Sequence, residues 1–593
     1  MHVLATAGHV DHGKSTLVRA LTGTDPDRLA EERRRGLTIV LGYAWTTLPG
    51  GSEPVAFVDV PGHDRFVPTM LAGVGPVPAA LLVVAADDAW MPQAEEHLRA
   101  LDALGVRHAV VAVTRSDRAD PGPMVAEVGR RLGGTGLAGS PVVAVSAVTG
   151  AGLTTLRSAL SRLTGALPRP DGAADVRLWI DRQFSVVGAG TVVTGTLPAG
   201  TVKVGDRLEL AGAGVVRVRS MQSLGAEVEQ VSGTARVALR LGAHPGVDLD
   251  RGAPLVTPGA WWPTTVVDVR LRGAGRPPRE PRLHIGASAV PARLRALDDD
   301  WARLTLGAPL PLRIGDRALL RDPGTRAIWG VEVVDPAPPT RRRRGAAAER
   351  GRELADASFG SLTDEVRRRG PVRVDVLRRI GVATATGAPA TGVSRVGDWL
   401  LADELVTVLR GRLTTIVAEH RERYPLESGP PVAVAAQALD VPDVRLLAAV
   451  VRPPLATRDG RVVAATALGP SAELPAAVER ALDELVAELT AAPFAAPAAD
   501  RLAALGLDRR ALAAAHRAGR LLRVADQVVL LPGADALAAH QLAELAQPFT
   551  ASQARQALGT SRRVVLPLLD LMDRRGLTRR LPDDRRLVNR RRA

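Results

Sequence analysis

The 593-residue sequence contains no cysteine. Disulfides, thiolate metal sites and cysteine nucleophiles are therefore excluded. Lysine is nearly absent as well: Lys14 and Lys203 are the two in the chain, and almost every other basic position is Arg. A lysine that persists against such a bias points to a need for its compact ammonium. No uninterrupted apolar run approaches ~18 residues, so no transmembrane helix is expected. The N-terminal segment MHVLATAGHVDHGK has no basic stretch followed by an apolar core, so no secretory signal is read. The expected location is the cytoplasm, with no membrane partner.

The composition is 46% hydrophobic and 24% charged, enough apolar material for several cores. The length suggests about three to six domains. Lys+Arg 77 against Asp+Glu 63 gives a net charge of +14, with a sequence pI near 11.1. Such an excess suits a polyanionic partner, most often nucleic acid. A codon bias towards Arg explains the residue type but not the placement. Residues 541–593 hold 12 Arg and 5 acidic residues, half of the net charge, which favours a polyanion-binding C-terminus.

Along the chain, residues 1–170 read as an α/β domain. Short uninterrupted apolar runs at 3–7, 55–60, 80–86, 109–113 and 142–147 look like strands of a parallel sheet buried on both faces, separated by helical patterns such as 95–104. After Pro168 and Pro170 the pattern changes to short strands with Gly and Pro turns, as in antiparallel barrels. Two barrels fit, at 171–258 and 259–335, with a seam near 258–263. Residues 336–348, rich in Pro and carrying four Arg at 341–344, read as a stiff basic linker. Residues 349–593 are helix-rich. A loose repeat there relates Leu505-Gly506…Arg509-Arg510…Gly519 to Leu558-Gly559…Arg562-Arg563…Gly576, each followed by a strand-like run. Helix, turn, helix and hairpin suggest about four winged-helix units, the last at about 535–593.

Four motifs carry chemistry. Gly8-His9-Val10-Asp11-His12-Gly13-Lys14-Ser15 fits G-x-x-x-x-G-K-[ST] between a strand and a helix at 16–21. Backbone N–H groups of such a loop curl around a phosphate chain, and the helix N-terminus favours negative charge. Lys14 would reach the β- and γ-phosphates, Ser15 would hold Mg²⁺, and Thr16 follows in the same turn. Asp59-Val60-Pro61-Gly62-His63 lies at the end of the second apolar run; Asp59 would hold Mg²⁺ through a water, the Gly62 amide would meet the γ-phosphate, and His63 is placed to position an attacking water. Thr114-Arg115-Ser116-Asp117 supplies a carboxylate that can accept the N1–H and N2–H₂ donors of guanine, which selects GTP over ATP. Ser146-Ala147 would contact the guanine O6 by backbone. In the run 33–39, RRRGLTI, Thr38 would complete the Mg²⁺ shell only when the γ-phosphate is present, making a switch.

GHVDHGKST, RGLTI and DVPGH together resemble the translational GTPases related to elongation factor Tu. The barrel segment FSVVGAGTVVTGT at 184–196 resembles their second domain. ERRRGLTIVLGYAW, TRSDRAD and the C-terminal LGTSRRVVLPLLDLMDRRGLTRR are more similar to the selenocysteine-specific (SelB) family. That resemblance implies an α/β P-loop GTPase domain, two or three small antiparallel β-barrels and a C-terminal winged-helix array. Arg115 replaces the usual lysine of the base motif; its stem can still cover the guanine face. Pro567, inside the expected last recognition helix, costs ~3 kcal/mol or kinks the helix when internal. The resemblance places an aminoacyl pocket at Asp181, Arg182 and Arg236, where paired guanidinium groups would favour a selenolate over a neutral serine hydroxyl.

In the tail, Thr560 or Ser561 can cap a helix bearing Val564, Val565, Leu568, Leu569 and Met572 on one side. Arg562 and Arg563 at its start, and Arg579, Arg580, Arg585 and Arg586 on a following hairpin, are the expected RNA-binding residues. Few aromatics occur there, so backbone charge and one or two exposed bases are the expected mode of hairpin recognition. The resulting expectation is a monomeric GTP-hydrolysing elongation factor, with GTP/GDP and Mg²⁺ as cofactors. It would carry selenocysteyl-tRNA to the ribosome at a recoded UGA codon and grip an mRNA hairpin. The alternatives are a generic aminoacyl-tRNA carrier, an initiation-factor relative, or a nucleic-acid-binding regulator on a GTPase-like scaffold.

Overall fold

The computed structural model describes the chain except residues 27–37, 39, 52, 64–66, 76, 187–189, 211–213, 243–248, 274, 326, 341–344, 385–390, 466–473 and 590–593. The Arg run 33–35, Gly36, Leu37 and Ile39 of the switch motif, and the four Arg of 341–344, thus lie outside the described residues. The chain forms two compact units, one of residues 1–368 and 373–388, the other of residues 369–372 and 389–593.

The first unit opens with an α/β domain. Its strands are β1 (His2–Ala7), β2 (Gly42–Thr47), β3 (Pro54–Asp59), β4 (Ala79–Ala85), β5 (His108–Thr114) and β6 (Val142–Ala144), in the order β2-β3-β1-β4-β5-β6. Its helices are α1 (Lys14–Thr22), α2 (Val67–Val74), α3 (Pro92–Ala103), α4 (Gly122–Leu132) and α5 (Leu153–Ala166). The apolar runs are uninterrupted because both sheet faces are covered, with alternate side chains entering different cores. Val3, Val58, Leu82, Val84 and Val111 pack with Leu98, Leu101 and Val128. Leu4, Phe57, Leu81, Val83 and Val110 pack with Leu17, Leu21, Leu156 and Leu160. The sheet is not wholly parallel: β2 runs antiparallel to β3, from Gly42↔Asp59 to Thr47↔Pro54. Only six residues join the two strands, too few for the crossover a parallel pair needs.

Strands between Arg177 and Val256 form the second domain, its main sheet running from Arg182–Val186 at one end to Arg177–Trp179 at the other. Strands from Trp262 to Asp335 close into a six-stranded barrel. The two are clamped at their seam. Arg177 makes a bidentate pair with Asp316 at 2.5 and 2.7 Å. Trp261 stacks against the guanidinium groups of Arg177 and Arg313, 4.5 and 3.8 Å from its ring centre.

The expected linker ends earlier than its composition indicates. A helix starts at Ala346 and runs to Ala355, and it docks on the closed barrel through buried charge. Arg350 donates to Asp268 at 2.8 Å and to Asp335 at 2.5 Å. Arg303 pairs with Asp268 at 2.6 and 2.9 Å, and Arg368 with Asp335 at 2.6 Å. Asp268, Asp335 and Arg350 at the centre are buried, so each depends on its partners.

The second unit repeats one plan. Helices Asp403–Arg423, Val432–Ala438 and Leu447–Val450 precede the hairpin Leu455–Arg458/Arg461–Ala464. Helices Ala476–Ala491, Ala499–Ala504 and Arg509–Arg517 precede Leu522–Ala525/Val528–Leu530. Helices Ala534–Ala543, Ala551–Ala557 and Arg562–Arg575 precede Thr578–Arg580/Arg586–Val588. This is the winged-helix arrangement. The last two repeats share one core, with Leu482, Leu485, Leu512, Val529, Leu542, Phe549 and Leu568 at its centre. Thr550 and Gln553 form a capping box at the start of Ala551–Ala557.

The buried charge cluster generates a stability prediction. Arg350→Met should lower the unfolding free energy of the first unit by about 3 kcal/mol, because it leaves buried carboxylates short of a partner. Chemical denaturation of the full chain measures it, and a loss below about 1 kcal/mol would contradict the role given to the cluster.

Candidate functional site

A cavity of about 520 Å³ opens where β1, β3 and β5 end and α1 begins. Val10, Asp11, Gly13, Lys14, Ser15, Thr16, Thr38, Gly62, Thr114, Arg115, Asp117 and Ala147 line it, so four separate sequence motifs meet around one space. The ends of parallel strands, beside a helix N-terminus, are where open α/β sheets bind ligands. Arg19, Asp25, Arg118 and Val148 also line it and were not expected from the sequence.

At the phosphate-loop end, Lys14 is buried and its Nζ donates to the Gly8 and His9 carbonyls at 3.2 and 2.8 Å. Ser15 Oγ donates to Asp59 Oδ2 at 2.7 Å and lies 3.0 Å from Thr38 Oγ1. Thr6 Oγ1 donates to Asp59 Oδ1 at 2.6 Å and accepts the Val60 N–H at 3.0 Å. Thr6 was missed from the sequence; its signal is a single hydroxyl in an otherwise apolar run. Only glycine fits at 62, since a Cβ there would fall 2.4 Å from Val10 N and 2.5 Å from Lys14 Nζ. His63 is half-buried beside it and does not line the cavity. Within the loop, the His9 and His12 rings pack in a T-shaped, edge-to-face contact. Burial, then neighbouring His9, pushes His12 down to about 4. Its Nε2 is 3.3 Å from Asp88.

At the other end, Thr114 is buried and its Oγ1 donates to the His12 carbonyl at 2.7 Å. Arg115 pairs with Asp87 at 3.0 Å and also donates to the Asp11 carbonyl, closing the loop against β5. Asp117 is exposed; a hydrogen bond from Ser146, then backbone bonding, holds its carboxyl below the usual range. Ser146 itself is buried beneath Ala147, and its Oγ accepts the Thr149 N–H at 3.1 Å. The cavity is therefore cationic and rich in N–H donors at one end and carries an ionised carboxylate at the other.

A second cavity, of about 250 Å³, lies between the α/β domain and the second domain, lined by Tyr43, Trp45, Arg182, Phe184, Thr194 and Arg236 among others. Arg182 donates to the Leu41 carbonyl at 2.7 Å. Arg236 makes a bidentate pair with Asp181, which also accepts Thr194 Oγ1 at 2.8 Å. Burial opposes the Arg236 charge, but Asp181 outweighs it and raises its pKa. The structure thus brings Arg182 and Arg236 to one cleft, with the Arg236 charge already answered by Asp181.

In the tail, Arg562 is exposed at the first turn of its helix, and Arg563 donates to the Ala496 and Pro497 carbonyls at 2.9 and 2.7 Å. Ser561 holds the N-cap position without a side-chain bond, while Thr560 donates to the Phe494 carbonyl. The helix runs through Pro567; one proline removes a single i→i−4 bond, here to Arg563. Arg579, Arg580 and Arg585 are exposed, the last two paired with Asp584 and Asp583. Arg586 corrects the expectation. It is buried, donating to Asp573 and Asp570 at 2.9 Å each, so it braces the hairpin on the helix and does not face a ligand.

Family models agree with this layout. One described as the elongation factor Tu GTP binding domain matches residues 1–165. One for the beta-barrel domain of selenocysteine-specific elongation factor matches 279–340, and one for the winged helix of elongation factor SelB matches 540–587. The selenocysteine-specific elongation factor of Escherichia coli (strain K12) is 42% identical over 353 residues, covering 58% of this chain and 56% of that protein. The alignment thus spans little more than half of that relative's length. Translation initiation factor 2 subunit gamma of Thermococcus kodakarensis is 30% identical over 388 residues, covering 54% of this chain and 94% of that protein. The crystal structure of a bacterial selenocysteine-specific elongation factor, EF-Sec, superposes with a TM-score of 0.76 at 25% identity and covers 100% of both chains. Family models thus match the GTP-binding domain, one barrel and one winged helix, and the EF-Sec structure superposes over the whole chain; the chain belongs to the translational GTPases related to elongation factor Tu and, among them, to the selenocysteine-specific elongation factor (SelB) family.

Proposed function

We propose that the chain binds GTP and GDP with Mg²⁺ in the 520 Å³ cavity, and in its GTP state carries selenocysteyl-tRNA to the ribosome at a recoded UGA codon. Its C-terminal winged helices would hold an mRNA hairpin near that codon. The observation that supports this most is the polarity of the cavity: Lys14, Ser15, Thr38 and Gly62 at one end, Asp117 and Ala147 at the other. A nucleoside triphosphate is charged at one end and carries a donor-rich base at the other when that base is guanine.

In this reading the loop N–H groups and the α1 N-terminus bind the phosphates, and Lys14 adds its ammonium. Ser15, Thr38 and Asp59 offer hard oxygens, the donor type Mg²⁺ prefers. When bound, that ion neutralises charge building on the β- and γ-phosphates. Asp117 accepts the guanine N1–H and N2–H₂, and the Ala147 N–H meets O6. His63 swings towards the γ-phosphate to position water when a ribosome is engaged. Arg182 and Arg236 favour a selenolate in the second cavity, Asp181 holding the Arg236 guanidinium in place. Arg562, Arg563, Arg579, Arg580 and Arg585 line up phosphate contacts to the hairpin stem, and base readout falls on loop or bulge nucleotides.

Three outcomes test this. Asp117→Asn should shift nucleotide preference from guanine towards xanthine, because one acceptor becomes a donor; competition binding with GTP and XTP reads it, and an unmoved preference would put the base elsewhere. His63→Ala should leave GTP affinity within about threefold while slowing ribosome-stimulated hydrolysis on the order of 10²-fold. Single-turnover kinetics decide, and a wild-type rate removes His63 from the mechanism. In the full chain, Arg562→Ala should weaken hairpin binding and lower the salt slope by about one. Salt-titrated binding to cognate and scrambled-loop hairpins measures it; equal affinity for both RNAs would leave the tail an electrostatic tether only.

A further inference from the structure

His97 is fully buried on the core-facing side of α3, beside Ala94, Leu98 and Leu101. Its signal in the sequence is a titratable residue on an otherwise apolar helical stripe. The Nδ1 atom accepts the N–H of Gly8 at 2.9 Å, across 89 residues of chain. Burial, then the charge of Lys14, pushes the imidazole down to about 3. It is therefore neutral at working pH, and Nδ1 presents the lone pair that a backbone donor requires.

Gly8 is the entry residue of the phosphate loop, and it is held on every side. Its carbonyl accepts Lys14 Nζ at 3.2 Å. Its φ is 132°, and a Cβ would fall 2.1 Å from the Val83 carbonyl oxygen of β4. The N–H would be a buried orphan without His97, and such groups are rarely left unpaired. The helix that supplies the imidazole is itself braced: Ala103 abuts Gly330 of the closed barrel, where a Cβ would fall 3.1 Å from the Ala103 Cβ, and Glu96 lies 3.8 Å from Arg321.

We propose that His97 is a positioning residue of the nucleotide site, which anchors the start of the phosphate loop on α3 through the Gly8 N–H and thereby slows nucleotide release. This rests on the reading of the cavity as a GTP/GDP site. His97 touches no phosphate and no base. Its loss loosens the loop for GDP and GTP alike and leaves base selectivity unchanged. That pattern separates it from Asp117, whose loss changes selectivity, and from Lys14, whose loss removes charge.

Stopped-flow release of fluorescent GDP from the full chain tests the assignment with three variants. His97→Asn keeps an acceptor close to the Nδ1 position. His97→Gln carries its acceptor one bond farther out, and His97→Leu has none. The Leu and Gln variants should release GDP about 10-fold faster, the scale of one backbone hydrogen bond. The Asn variant should stay within about threefold of wild type. An Asn variant as fast as Leu means that His97 acts by packing alone and overturns the proposal; so do unchanged rates in all three. Should the Leu variant fail to fold, the Asn–Gln contrast decides by the same criterion. A wild-type chain that retains no GDP would overturn the nucleotide reading itself, whereas normal wild-type binding with unmoved variants overturns the His97 assignment alone.

Discussion

The carboxylate of Asp59, buried at the end of β3, ties together the pieces on which the nucleotide site depends. It takes the hydroxyl of Thr6 from β1 and the hydroxyl of Ser15 from α1. Ser15 in turn touches Thr38, which reaches in from the segment before β2. A charged group is tolerated in a core only when its oxygens are met by donors, and here the two hydroxyl donors come from two different segments, β1 and α1. Meeting that constraint joins the phosphate loop to the β3 end and leaves Ser15 within hydrogen-bond range of Thr38. The same arrangement is a set of hard oxygens facing a cavity that has a cation and N–H donors beside it.

Charge is also what joins the other parts of the first unit. Arg177, Arg313 and Trp261 fasten the second domain to the closed barrel, and Arg350 with Asp268 and Asp335 fastens the helix Ala346–Ala355 to the same barrel. In a chain nearly without lysine these joints are built from the planar guanidinium, which can pair bidentately and stack at once. Much of the arginine excess therefore has a structural use. Net positive charge that these joints do not use is greatest towards the C-terminus, where residues 541–593 carry half of the net charge.

The phosphate loop, the DVPGH turn and the place of Asp117 on the cavity wall were legible because each belongs to a short run whose backbone chemistry is local. So was the doubly covered sheet, from its unbroken apolar runs. The antiparallel edge strand β2 was not, since GYAWTT alternates weakly and its direction follows from a short connection. Pairing across the fold was not legible either. Nothing near Arg586 in sequence marks it as buried; Asp570 and Asp573 reach it only once the helix and hairpin have formed. The same holds for Asp181 answering Arg236, for Arg350 docking a helix that begins inside what composition makes a linker, and for His97 reaching Gly8. Long-range partners of charged and titratable groups are tertiary facts, and composition and periodicity do not carry them.

Under the proposed function, occupancy of the Ser15–Thr38–Asp59 end of the cavity governs whether charged tRNA is held in the neighbouring cleft, whose wall includes Leu41, Tyr43 and Arg182. The most direct measurement is the affinity of the full chain for selenocysteyl-tRNA in the presence of Mg²⁺ with a non-hydrolysable GTP analogue and, separately, with GDP. Binding should be at least ~10²-fold tighter with the GTP analogue, a coupling of about 3 kcal/mol, if the proposed function holds. Equal affinity in the two nucleotide states would contradict it.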